Sequence, residues 1–113
     1  MFAWFMGLKT ISPAALHERI QSGPLAVFDV NARSSWIAAR VPGARNLDPV
    51  HYEATDLPTD KSAEMVFYCS NPMCRKAPNA ARRAKQLGFT NPLVMSAGIS
   101  GWLASNLPTE SGE

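Results

Sequence analysis

Residues 65–76 read Met-Val-Phe-Tyr-Cys-Ser-Asn-Pro-Met-Cys-Arg-Lys, and the reading of this stretch decides the fold. Residues 65–68 are apolar without alternation, the pattern of a strand buried on both faces of a parallel sheet. A loop follows, and then Ala80, Ala84 and Leu87 recur at helical spacing until Gly88 stops the helix. Working outward, the same handover from strand to loop to helix repeats. Residues 25–30 and 92–95 are two further short apolar runs that end in turn chemistry. Ser12 followed by Pro13 marks a helix start, with Ala15, Leu16 and Ile20 on one side and Gly23 as the stop. A last helix is expected from about Ser100 to Ser105, carrying Trp102 and Leu103 inward. Strands alternating with helices predict an α/β domain, a central and mostly parallel sheet with helices on both faces.

The chain has 113 residues, 46% of them apolar, which is material for one core and too little for two. The division expected is an apolar N-terminal segment over 1–10, one domain over 11–108 and a flexible tail over 109–113. The apolar and aromatic start, residues 1–8, has no basic lead-in and falls far short of the ~18 residues of a membrane span. It reads as a packed or partner-facing segment, and the expected location is cytoplasmic. Formal charge is +2, so no nucleic-acid partner is expected. One basic cluster, Arg75, Lys76, Arg82, Arg83 and Lys85, reads in its outer members as the solvated face of a helix. His17 and His51 lack metal-ligand spacing, and neither a metal nor another cofactor is expected.

The two cysteines, Cys69 and Cys74, are too close together for the framework of a disulfide-stapled secreted domain. In open parallel α/β sheets the ligand site lies at the carboxyl ends of the strands, where Cys69 stands. A loop that ends at a helix N-terminus turns backbone N–H groups toward one point, and the helix dipole adds positive potential there. With Arg75 and Lys76 alongside, these features predict a lowered thiol pKa at Cys69 and a reactive thiolate. The candidate site is therefore Cys69 as nucleophile, with Ser70, Asn71, Pro72, Met73, Cys74, Arg75 and Lys76 as its substrate-binding loop. The plainer reading is a buried, inert cysteine packing at a strand end.

Four stretches extend the pattern over nearly the whole chain: Ile11-Ser12-Pro13 through Leu16, Leu25-Ala26-Val27-Phe28-Asp29-Val30, the run from Asp29 to Val41-Pro42-Gly43-Ala44-Arg45-Asn46, and Ser96-Ala97-Gly98-Ile99-Ser100-Gly101-Trp102. In order and spacing around a strand-end cysteine they resemble the rhodanese-homology domain family. That resemblance implies the rhodanese-like α/β fold and makes Cys69 the sulfur-carrying residue of a single-domain sulfurtransferase. Asn31 replaces the family's usual Arg after Asp-Val, Ser35 stands where an acidic residue is common, and Arg40 stands where His is usual. The loop departs further. Pro72 falls three residues after the cysteine in place of Gly, Arg75 six after in place of five, and Ala80-Ala81 eleven and twelve after in place of nine and ten. Trp102 reads as core, and Asp29 as an acceptor of backbone hydrogen bonds that shape a neighbouring loop.

The activity this reading implies is a double displacement. Cys69 takes the outer sulfur of thiosulfate, a polysulfide or a persulfide, and the Cys69 persulfide passes it to a thiol, cyanide or a protein acceptor. If Cys74 faces the same pocket, it is placed to attack that persulfide; otherwise it only packs. Two rivals stand beside this. Cys69, five residues and then Arg75 is also the arrangement of cysteine phosphatases and arsenate reductases, although Tyr68 holds the place of their His. The third is a non-catalytic rhodanese-fold interaction domain, with Phe2, Trp4 and Phe5 as a contact patch.

Overall fold

The computed structural model describes residues 7–113. The aromatic patch of Phe2, Trp4 and Phe5 lies outside the described residues. In chain order the elements are β1 (Lys9–Thr10), α1 (Pro13–Ser22), β2 (Ala26–Asp29), α2 (Arg33–Ala38), β3 (Arg45–Asn46), a 3-10 turn (Ala54–Asp56), β4 (Glu64–Tyr68), α3 (Lys76–Gln86), β5 (Asn91–Val94) and α4 (Gly98–Ala104). The five strands form one sheet in the order β1-β5-β4-β2-β3, and every pairing is parallel.

The continuous apolar runs face two cores at once. Val27, Val66 and Tyr68 point to one side of the sheet, where Leu16 of α1 and Trp102 of α4 cover them. Phe28, Met65, Phe67 and Cys69 point to the other, against Ala77, Ala80, Ala81 and Ala84 of α3. Four small residues along one face let that helix sit close to the sheet above Cys69. Ser12 caps α1 through its side-chain oxygen, which accepts the N–H of Ala15 at 3.1 Å.

Some expectations need correction. The sheet begins at Lys9–Thr10, before the expected domain start at residue 11. The short strands β1 and β3, two residues each, carry no periodicity of their own. Helix α2 has no buried residue and no side-chain cap to announce it. Helix α4 starts at Gly98, two residues early, with Trp102 buried but Leu103 48% exposed. The tail, expected to be flexible, is tied down. Arg40 and Glu110 exchange backbone hydrogen bonds at 2.9 Å, Gly112 donates to the Ile37 carbonyl at 2.8 Å, and the Arg40 guanidinium donates to the Gly112 carbonyl at 2.6 Å. Within the basic cluster, Arg83 is no solvated side chain either: it donates twice to the Tyr52 carbonyl, at 2.9 and 2.7 Å.

Candidate active site

Cys69 follows the last residue of β4, the middle strand, and lies buried beneath the start of α3. The loop between them is built by a turn. Asn71 accepts the Cys74 N–H on its carbonyl at 3.1 Å and the Met73 N–H on its side-chain oxygen at 2.9 Å. Asn at the first position and Pro72 at the second suit such a turn, which carries the chain back so that Cys74 lies over Cys69. The Cys69 thiol donates to the Cys74 carbonyl at 3.6 Å. Cys74 also lines the cavity beside it.

A second element fixes this loop from behind. The first N–H groups of α4 hold its carbonyls: Ile99 donates to Cys69 at 2.9 Å and Ser100 to Ser70 at 3.0 Å, reinforced by the Ser100 hydroxyl at 2.7 Å. Gly98 makes the approach possible, because a Cβ there would lie 2.6 Å from the Asn71 nitrogen and the Ser70 carbonyl carbon. Its φ of +67° is also one that side chains disfavour.

Beside the loop a cavity of about 210 Å³ is lined by Cys69, Asn71, Pro72 and Cys74, together with Ala77, Pro78 and the segment Val94, Met95, Ser96 and Ala97. Of the loop residues expected to bind substrate, Ser70, Met73, Arg75 and Lys76 are absent from its wall. Met73 is 77% exposed at the loop tip, Arg75 is exposed, and Lys76 lines a separate polar depression with Arg33, Asn31 and Asp48. The residues after β5 were not anticipated; their signal was their own position at a strand's carboxyl end. A larger cavity of about 630 Å³, including Pro24, Leu25, Ala63 and Glu64, opens at the amino ends of β2 and β4. No cysteine or histidine lines it.

The electrostatics correct the expected acidity. Burial first, and then the hydrogen bond to Cys74, push the Cys69 thiol up to about 12, against the N–H groups of Ala77 and Ser70, which favour the thiolate. Cys74 is opposed by its own partial burial but is lowered by the Cys69 hydrogen bond and by the N–H groups of Lys76 and Ser70. Of the two thiols, Cys74 is therefore the more readily ionised.

Upstream, Asp29 shapes the neighbouring loop as expected. Its carboxylate accepts the Asn31 N–H at 2.9 Å and the Tyr68 hydroxyl at 2.7 Å, while Tyr68 accepts the Val41 N–H at 3.0 Å. Asn46 spans the Asp29 and Asn31 carbonyls at 3.0 and 2.9 Å. Burial raises the Asp29 carboxyl, against these hydrogen bonds and Arg40.

A parallel five-stranded α/β sheet, with a cysteine beneath a helix start at the carboxyl end of its middle strand, is the class that fold and site define. The family model for the Rhodanese-like domain matches residues 12–105, and the chain belongs to that family. It is 26% identical over 111 residues to the thiosulfate:glutathione sulfurtransferase of Homo sapiens, covering 86% of this chain and 95% of that protein. It is also 26% identical over 102 residues to the HTH-type transcriptional regulator Rv0324 of Mycobacterium tuberculosis, covering 90% of this chain and 45% of the regulator. Among solved structures, the BH2092 protein from Bacillus halodurans matches with a TM-score of 0.81 at 25% identity, over 91% of this chain and 77% of that one. No helix among the described residues is long and apolar enough to cross a membrane.

Proposed function

We propose that the chain is a sulfurtransferase that moves sulfane sulfur from thiosulfate, a polysulfide or a persulfide to a thiophilic acceptor, through a persulfide on Cys69. The observation that carries this reading is the position of Cys69: a buried sulfur on the wall of a cavity, under the first turn of α3, in a family that includes sulfurtransferases. The relative that acts on thiosulfate and glutathione supports the same reading.

The first step needs a thiolate at Cys69, which gives its proton to solvent and attacks the outer sulfur of the donor. With thiosulfate the sulfur–sulfur bond of the donor breaks and sulfite leaves. The N–H groups of Ser70 and Ala77, which favour a negative charge at Cys69, then hold the anionic persulfide. The mostly apolar wall of Pro72, Ala77, Pro78, Val94 and Met95 suits a soft, polarisable sulfur atom. The oxyanion-enzyme alternative has less support, since Arg75 is not on that wall and the Tyr68 hydroxyl is engaged by Asp29 and Val41.

Cys69→Ser is expected to reduce donor-dependent sulfur transfer to the uncatalysed rate with the fold unchanged by circular dichroism, since a hydroxyl is not ionised by the same surroundings. Transfer retained by this variant would overturn the proposal. Efficient hydrolysis of an aryl phosphate, lost in the same variant, would favour the phosphatase-like chemistry instead.

A further inference from the structure

We propose that Cys74 is a second catalytic thiol, which attacks the Cys69 persulfide, releases the carried sulfur as hydrosulfide and leaves a Cys69–Cys74 disulfide. This rests on the persulfide reading above and extends it from transfer to reduction of the bound sulfur.

The geometry is that of the turn. Cys74 comes back over Cys69 because the turn from Asn71 closes between them, and both cysteines line one cavity. A disulfide requires Cα atoms within roughly 7 Å and sulfurs brought to about 2 Å. The two residues already meet, since the Cys69 thiol reaches the Cys74 carbonyl at 3.6 Å and both residues line the same cavity. The residues between them that would adjust, Asn71, Pro72 and Met73, are exposed and carry no core packing. Cys69 is held rigidly from behind through its carbonyl by Ile99, so the movement falls on the Cys74 side.

The chemistry closes without an external reactant. After the first step Cys69 carries an anionic outer sulfur, and Cys74 on the same cavity wall is a thiol. The Cys74 sulfur attacks Cys69 Sγ; the bond between Cys69 Sγ and the outer sulfur breaks; the electron pair and the Cys74 proton leave with that sulfur as hydrosulfide. The two thiol sulfurs are oxidised by two electrons in total, and the carried sulfur is reduced by two. A dithiol reductant then reopens the disulfide by exchange and returns the pair to its starting state.

The test uses the full, reduced chain with thiosulfate as the sulfur source, under anaerobic conditions and without added reductant. Released sulfide and intact mass are read together. Wild type is expected to release sulfide stoichiometrically with protein and to end lighter by two hydrogens. Cys74→Ser, incubated to completion under the same conditions, is expected to end heavier by one sulfur and to release none. A wild type that keeps a stable added sulfur, or a Cys74→Ser variant that releases sulfide like wild type, overturns the role of Cys74 alone. A Cys74→Ser variant that never gains sulfur overturns the persulfide reading, and the role of Cys74 with it.

Discussion

Two cysteines on one cavity wall do not ionise alike, and their different burial decides how. Cys69 is deep enough that removing its proton costs more than the N–H groups of Ser70 and Ala77 return, whereas Cys74 is only partly buried and receives the Cys69 hydrogen bond. The two titrate as a pair, with the first ionisation at the outer sulfur. A measurable order of reactivity follows. Limiting iodoacetamide at neutral pH is expected to label Cys74 before Cys69, since the thiolate is the nucleophile, and peptide mapping reads the ratio directly. Labelling of Cys69 first would mean that the charge rests on the inner sulfur. At this scale the sequence located the strand-end cysteine but not its surroundings. The strand-end position of Cys69 was legible, and so were the neighbouring cations. The depth of burial was not, because it depends on α3 packing Ala77 and Ala80 down onto the sheet. The exposed Arg75 outside the cavity shows the same limit: adjacency in sequence does not say which way a side chain at a helix start turns.

Among the elements, the loop after β4 owes its shape to α4 as much as to its own turn. The motif around Gly98 and Trp102 does two jobs: Trp102 anchors the helix in the core, donating to the Pro108 carbonyl at 2.7 Å, and Gly98 lets the helix start touch the loop. Gly98→Ala is expected to destabilise the fold by roughly 2–4 kcal/mol, combining left-handed strain with overpacking against Ser70 and Asn71. It should also slow sulfur loading, because the atoms pushed aside belong to the cysteine loop. Gly43→Ala is the control. Its φ is +80° but no atom lies within 4 Å of the added Cβ, so denaturation should show the strain alone and loading should be unchanged. Equal loading by both variants would mean that α4 does not position the loop. The long apolar strands and the capped α1 were readable because their patterns repeat over several residues. By contrast, β3 is held by the pair Asn46 and Asp29 and by its register beside β2, contacts that a two-residue stretch cannot advertise.

Across the whole molecule, the two apolar faces of one sheet explain why the overall architecture could be inferred from pattern: strands buried on both sides must be covered by helices on both sides. The tail was misjudged for the complementary reason. Its polar composition carries no sign of Arg40, nearly buried over the Trp36 ring at 4.0 Å, whose hydrogen bond to the Gly112 carbonyl holds the chain end in place. The same buried framework, running from Asp29 through Tyr68 to Val41, ties β2, β4 and the turn before β3 together beneath the site. It holds Cys69 at the carboxyl end of the middle strand, where the proposed chemistry requires donor sulfur to arrive. The direct measurement mixes reduced protein with thiosulfate, quenches rapidly with an alkylating agent and maps the cysteine peptides by mass. One additional sulfur is expected between Cys69 and its alkyl group at the earliest times, and none on Cys74. Extra sulfur first on Cys74, or on neither cysteine while transfer to an acceptor proceeds, would contradict it.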